Sequence, residues 1–122
     1  MKRFTLIAAV AVFVSIVSGC KSEPDFWLGA DLGWITEYEA KGHKFYNAAG
    51  EEMECTALMK ELGLNAVRHR VWVDPSAHGN WCSKEDLLVK CQRAKALGMA
   101  IMVDFHYSDW WADPQKQNIP AA

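Results

Sequence analysis

Two segments, residues 65–73 and 99–107, each follow a helix pattern that ends in glycine, and each sorts its side chains by parity. In the first, Val67, Val71 and Val73 alternate with Arg68, Arg70 and Trp72, and His69 is the polar exception on the valine face. In the second, Ile101, Val103, Phe105 and Tyr107 alternate with Met102, Asp104, His106 and Ser108. Successive strand side chains point to opposite faces. Each segment therefore reads as a strand with one apolar face and one face that becomes charged toward its C-terminal end. An open sheet with helices on both sides expects apolar runs on both faces. A barrel carries its helices outside only, and its interior can turn polar at the C-terminal mouth. The parity favours the barrel.

The helices between the strands are readable. Over 51–62, Cys55, Leu58, Met59 and Leu62 recur at i, i+3, i+4 and i+7, a single apolar stripe, and Gly63 follows as a stop. A second helix begins at Ser83, with Asp86 three residues on in a capping-box pattern. Its buried side is Leu87, Leu88, Cys91, Ala94 and Leu97, and Gly98 ends it. Lys84, Glu85, Lys90, Gln92 and Arg93 are assigned mostly to its solvated side. With a first strand over 26–32, the order is β-α-β-α-β, the signature of βαβ units and a parallel sheet. Phe105 and Tyr107 are expected to pack outward under helices. The fold class is α/β, a (β/α)8 TIM barrel of which only the first three strands and two helices are present. Such a barrel takes about 250 residues. At 122 residues the chain is expected to be the N-terminal part of something larger.

The first residues read as a targeting segment, not as part of the fold. Lys2 and Arg3 precede an apolar run, Phe4 to Val17, that is short for a membrane span. The run ends in Val17-Ser18-Gly19-Cys20, which resembles a bacterial lipobox whose Cys is lipidated. The expected division is a lipoprotein signal peptide over 1–20, a tether over 21–25 and the barrel part over 26–122. The expected location is lipid-anchored, at the outer membrane or cell surface of a Gram-negative bacterium, with the periplasmic side as the other choice. Cys55, Cys82 and Cys91 remain, an odd number that excludes a complete disulfide framework. Buried thiols are expected at Cys55 and Cys91. No C-x-x-C or H-x-x-H spacing supports a zinc site. Net charge is −2, with no basic block in the globular part, so nucleic acid is excluded as a partner.

Parity and position bring Asp31, Arg68, Arg70, Asp104, His106 and Ser108 to the barrel mouth. Buried charges of both signs must pair. An Arg can hold a carboxylate bidentately, as a nucleophilic carboxylate requires, although a purely structural ion-pair network is an equal reading for Arg68 and Asp104. Asp109, Trp110, Trp111 and Asp113 follow on the next loop. Flat aromatic faces beside carboxylates suit a site that stacks sugar rings and bonds their hydroxyls. Glu37 and Glu39 read as a solvated loop without a catalytic role.

Several runs carry a resemblance: Gly29-Ala30-Asp31, Phe45-Tyr46-Asn47 with Gly50, Val67-Arg68-His69-Arg70-Val71-Trp72-Val73-Asp74-Pro75, Ala94-Lys95-Ala96-Leu97-Gly98-Met99, and Asp104-Phe105-His106-Tyr107-Ser108-Asp109 with Trp111-Ala112-Asp113-Pro114. Together they resemble family 53 glycoside hydrolases, the endo-β-1,4-galactanases. The resemblance implies a retaining glycosidase that cuts β-1,4-galactan in type I arabinogalactan. It also implies two catalytic glutamates at the ends of the fourth and seventh strands, downstream of this chain, which is then expected to be inactive alone. Carried over are Arg70, with Arg68, to orient the nucleophile; Asp31, His106 and Asp109 around the sugar-binding mouth; and Trp111 as a stacking surface. His69 stands where the family more often has an apolar or amide residue, a local variation on the outer face. No cofactor is implied, and calcium, where members bind it, sits in late barrel loops. The rival readings are a non-catalytic surface glycan-binding lipoprotein and a related retaining endo-glycanase such as a mannanase or xylanase.

Overall fold

The protein is seen in a computed structural model that describes residues 24–120. The expected signal peptide, Cys20 and residues 21–23 of the tether lie outside the described residues. In chain order the elements are β1 (Gly29–Asp31), α1 (Ile35–Ala40), β2 (Phe45–Tyr46), β3 (Glu52–Met53), α2 (Cys55–Glu61), β4 (Ala66–Val71), α3 (Lys84–Ala96) and β5 (Ala100–Phe105). A single 3-10 turn, Ser76–His78, lies between β4 and α3. The strands β1, β4 and β5 form one sheet in that order, and both pairings are parallel. A separate antiparallel pair, β2 with β3, stands beside them.

The two long connections end as their glycines predict. Gly63 and Gly98 take φ of 95° and 66°, a left-handed backbone that costs other residues about 1–2 kcal/mol. At each, the next residue's N–H reaches back five positions: Leu64 to the Met59 carbonyl and Met99 to the Ala94 carbonyl, both at 3.0 Å. That closes the last helical turn and aims the chain into the following strand. The core lies between α3 and the sheet, where Val67, Ala94 and Met99 are buried with Leu32, Leu64, Leu97 and Ile101 packed around them. Burying Val67 alone contributes about 2 kcal/mol.

Several expectations need correction. Residues 51–53 are not helical: Glu52 and Met53 pair with Tyr46 and Phe45, and α2 begins only after Glu54. Glu54 is extended, and its carboxylate accepts from Ala57 N at 2.9 Å and Thr56 Oγ1 at 2.8 Å, an acidic N-cap. A third helix, α1, occupies the segment read as a loop, so Glu37 and Glu39 are helical, and Glu39 pairs with Arg93 at 2.8 Å. Leu62 and Leu88 are exposed, and Cys91 is only half-buried, whereas Cys55 and Cys82 are buried. Burial pushes all three thiols up, Cys55 to about 11, so none is a ready nucleophile.

Lys90 overturns its assignment to the solvated side of the second helix. It is fully buried, because its Nζ reaches Asp86 Oδ2 at 2.7 Å and the Gly33 carbonyl at 2.9 Å inside the fold. Asp86 does not close a full capping box: Ser83 Oγ accepts from Asp86 N at 3.3 Å, but the Asp86 carboxylate turns to Cys82 N and to Lys90. Phe105 and Tyr107 are 61% and 78% exposed, so they do not pack under helices. Among the described residues no helix lies over that end of β5. Tyr107 also takes φ 46°, which breaks the strand's alternation just past its end.

Candidate functional site

Two side-chain layers lie on the sheet face away from α3. The lower layer is ionic. Arg68 on β4 gives one guanidinium nitrogen to Asp31 Oδ2 on β1 and the other to Asp104 Oδ2 on β5, each at 2.5 Å. His106 Nδ1 then lies 3.5 Å from the same Asp104 oxygen. Three residues from three neighbouring strands, and His106 just past the end of β5, are thus joined in a row by parity. Arg68 remains exposed, so the pairs work in high dielectric and are worth little individually.

The upper layer, nearer the strand ends, is aromatic. Arg70 is almost fully buried, with its guanidinium carbon 4.4 Å from the Trp111 ring centroid, 4.9 Å from Trp34 and 5.8 Å from Trp72. Indole faces attract a cation, more strongly when water is excluded. Trp72 is buried, its ring centroid 4.6 Å from that of Trp110, and His78 stacks on Trp110 at 3.7 Å and 22°. His106 meets Trp72 and Trp111 edge-on at 6.1 and 5.5 Å. Trp111 is left 41% exposed. Within this cage Arg70 Nε, Trp72 Nε1 and His106 Nε2 are buried without a hydrogen-bond partner among the described residues. All three are shut off from solvent, so the cage is closed around Arg70, and Trp111 is its exposed part.

Against known proteins, the sequence profile of glycosyl hydrolase family 53 matches residues 27–122. This chain belongs to glycosyl hydrolase family 53. It is 36% identical over 127 residues to the endo-β-1,4-galactanase of Bacillus subtilis (strain 168), covering 99% of this chain and 29% of that protein. To the arabinogalactan endo-β-1,4-galactanase of Cellvibrio japonicus (strain Ueda107) it is 34% identical, covering 96% and 31%. Its fold superimposes on the family 53 catalytic domain of Ignisphaera aggregans with a TM-score of 0.73 at 37% identity, over 82% of this chain and 30% of that one. A structure described as one of two fungal β-1,4-galactanases gives 0.74 at 36% identity, over 78% and 28%. The family 53 chain therefore spans about three tenths of the length of these relatives. Its parallel strands with α3 packed on one side are an arc of the (β/α)8 barrel.

In this family 53 segment Asp31, Arg68, Arg70, His106 and Trp111 come together as one surface, with Asp104 between them. Asp109 sits apart at the rim, where its Oδ1 accepts from Asp74 N at 2.9 Å and ties the loop after β5 to the loop after β4. Ser108 is buried, its carbonyl accepting from Val73 N at 3.0 Å. Sequence reasoning missed Gly33 and His78. Gly33 N donates to Asp31 Oδ1 at 2.9 Å, and a Cβ there would lie 2.4 Å from Arg70 Nη2. Neither residue left a periodic or charge signal to find. Among the described residues no three His, Cys, Asp or Glu are grouped to hold a metal ion.

Proposed function

We propose that the chain forms one wall of the sugar cleft of an endo-β-1,4-galactanase, which hydrolyses β-1,4-galactosidic bonds of type I arabinogalactan with retention. One observation carries this reading: a buried guanidinium framed by indoles, with part-exposed carboxylates beside it, at the C-terminal ends of parallel strands. Sugars present a hydroxyl edge and a C–H face. The part-exposed carboxylates of Asp31 and Asp104 suit the first and the exposed part of Trp111 suits the second. The substrate class is taken from the relatives, which are named as β-1,4-galactanases.

Retaining hydrolysis uses two carboxyl groups about 5–5.5 Å apart, one as acid/base and one as nucleophile. Asp31 and Asp104 both accept from Arg68, which suits them to a supporting role and not to that pair. On this reading the reacting carboxyl groups come from the fourth and seventh barrel strands. Arg70 orients the nucleophile, Asp31, His106 and Asp109 line the mouth, and Trp111 stacks a galactose ring. The 122-residue chain alone is then expected to release no reducing sugar from β-1,4-galactan. A chimera in which residues 27–122 replace the matching stretch of the Bacillus subtilis relative is expected to do so, with β-configured products by proton NMR. A folded chimera that binds galactan without cutting it would favour the glycan-binding reading, and one that cuts mannan or xylan instead would favour another endo-glycanase.

The order Lys2-Arg3, apolar run and Val17-Ser18-Gly19-Cys20 supports a lipid on Cys20 and a site at the outer membrane or cell surface of a Gram-negative bacterium. Labelled palmitate should enter the protein and fail to enter the Cys20→Ser variant. Equal labelling of both would refute the anchor.

A further inference from the structure

A buried ammonium costs several kcal/mol unless it is paired and hydrogen-bonded. Lys90 meets that demand through contacts that lead toward Arg70. Its Nζ donates to Asp86 Oδ2 at 2.7 Å and to the Gly33 carbonyl at 2.9 Å, and stands 3.7 Å from Cys82 Sγ. Cys82 Sγ donates to the same carbonyl at 3.2 Å, and Asp86 also accepts from Cys82 N at 2.7 Å. The second turn of α3 and the residue before its N-cap are thereby fastened to the loop that follows β1. Gly33 is held from its other side by the bond from its N–H to Asp31.

Gly33 is also the surface against which Arg70 rests. A methyl on Gly33 would fall 2.4 Å from Nη2, 2.7 Å from Nε and 2.9 Å from Cζ of Arg70. On its other sides the guanidinium meets Trp111 and Trp34. Its ion pair with Asp31 is long, 3.4 Å, and its Nε has no partner. The place of the guanidinium therefore depends on what it is packed against, and one side of that packing is the Gly33 backbone.

We propose that Lys90 is a positioning residue for Arg70: by tying the Gly33 carbonyl to α3, it fixes the wall that presses the guanidinium onto Trp111. The consequence for galactan rests on the reading of Arg70 as part of the sugar cleft. The geometry does not. A lysine that served only to fill the core would have its place taken by methionine without any effect on Arg70.

The test is the Nε–Hε resonance of Arg70 in the full chain labelled with 15N-arginine. Ring currents from Trp111 and Trp34 should displace that proton upfield. In Lys90→Met the displacement is expected to be largely lost. In Leu97→Ala, which opens a cavity on the same helix, it is expected to remain. Gly33→Ala pushes the guanidinium directly and should move the same resonance with Lys90 intact. Should Lys90→Met not fold, Lys90→Gln retains a donor and should give a smaller shift in the same direction. An unmoved Arg70 resonance in a folded Lys90 variant, or in Gly33→Ala, overturns the proposal. A moved resonance supports it whether or not galactan binding changes. Unchanged galactan binding would count only against Arg70's place in the cleft.

Discussion

His69 and Lys90 occupy the closed space between β4 and α3, both fully buried, and Lys90 is the one that makes short, well-formed hydrogen bonds there. Neither ring nitrogen of His69 makes a well-formed hydrogen bond. Burial first, and the Lys90 charge second, push His69 from 6.5 down to about 4, against the weaker pull of Asp31, Asp86 and the Leu32 carbonyl. Between those two values the unfolded chain binds a proton that the folded chain refuses. The stability that depends on neutral His69 is thus complete above pH 6.5 and is lost as pH falls toward 4, to the extent of roughly 3 kcal/mol. About 2 kcal/mol of this should already be lost between pH 7.5 and pH 5, as read from urea midpoints at the two values. In His69→Leu most of that difference should vanish, and stability at pH 7.5 should not fall, since two unmet nitrogens are removed. Equal pH dependence in the two proteins would contradict this account.

Arg68 predicts an effect of salt. Replacing it with Leu leaves Asp31 and Asp104 facing each other without the cation between them. The loss should be modest, about 1 kcal/mol, because Arg68 is exposed. Its sign with ionic strength is the sharper test. Added NaCl should stabilise Arg68→Leu by screening two like charges, and should do less or the reverse in the parent. Urea unfolding in low and high salt measures it.

The adjacent indoles at 110 and 111 should behave differently. Trp110 packs on both Trp72 and His78, so Trp110→Ala should cost stability, about 3 kcal/mol. Trp111 packs on Arg70 but is 41% exposed, so Trp111→Ala should cost less stability than Trp110→Ala. If Trp111 stacks a galactose ring as proposed, the same change should also weaken galactan binding roughly tenfold. Melting curves and isothermal titration of the Bacillus subtilis chimera with galactan would separate the two.

Gly63 provides a backbone test free of packing. A Cβ there would meet nothing within 4 Å, yet its φ is 95°. Gly63→Ala should therefore lose about 1–2 kcal/mol by thermal unfolding, from conformation alone.

The parallel strands and the two longer helices were legible because burial there follows a period. Val67 and Arg68 face opposite ways as parity requires, and the glycines after Leu62 and Leu97 end their helices as expected. The row Asp31–Arg68–Asp104–His106 follows from the same parity. Where the chain departs from period, the sequence is silent. The helix α1 has only six residues, and its N-cap, Trp34, makes no side-chain cap bond. The β2–β3 pair is two residues long on each side, and its turn is held by Asn47 Oδ1 accepting from Ala49 N and Glu51 N. Lys90 was misplaced for a different reason. A lysine on a helix is read as solvated because isolated ammonium groups avoid the interior. The exception depends on Gly33 O and Asp86, and no helical period relates Lys90 to a carbonyl 57 positions earlier.

Arg68 also works as a proofreader of strand pairing. It stands directly opposite Asp31 on β1, and its neighbour on β4, Arg70, stands opposite Asp104 on β5. Sliding either outer strand by one residue turns its carboxylate to the α3 side and brings an apolar neighbour to Arg68, Ala30 or Leu32 on one strand and Val103 or Phe105 on the other. A mispaired sheet would then hold a carboxylate against the apolar core and leave the cation with one of its two partners. One exposed arginine, worth little as a bond, can in this way reject the alignments of two strands that would otherwise compete with the native one.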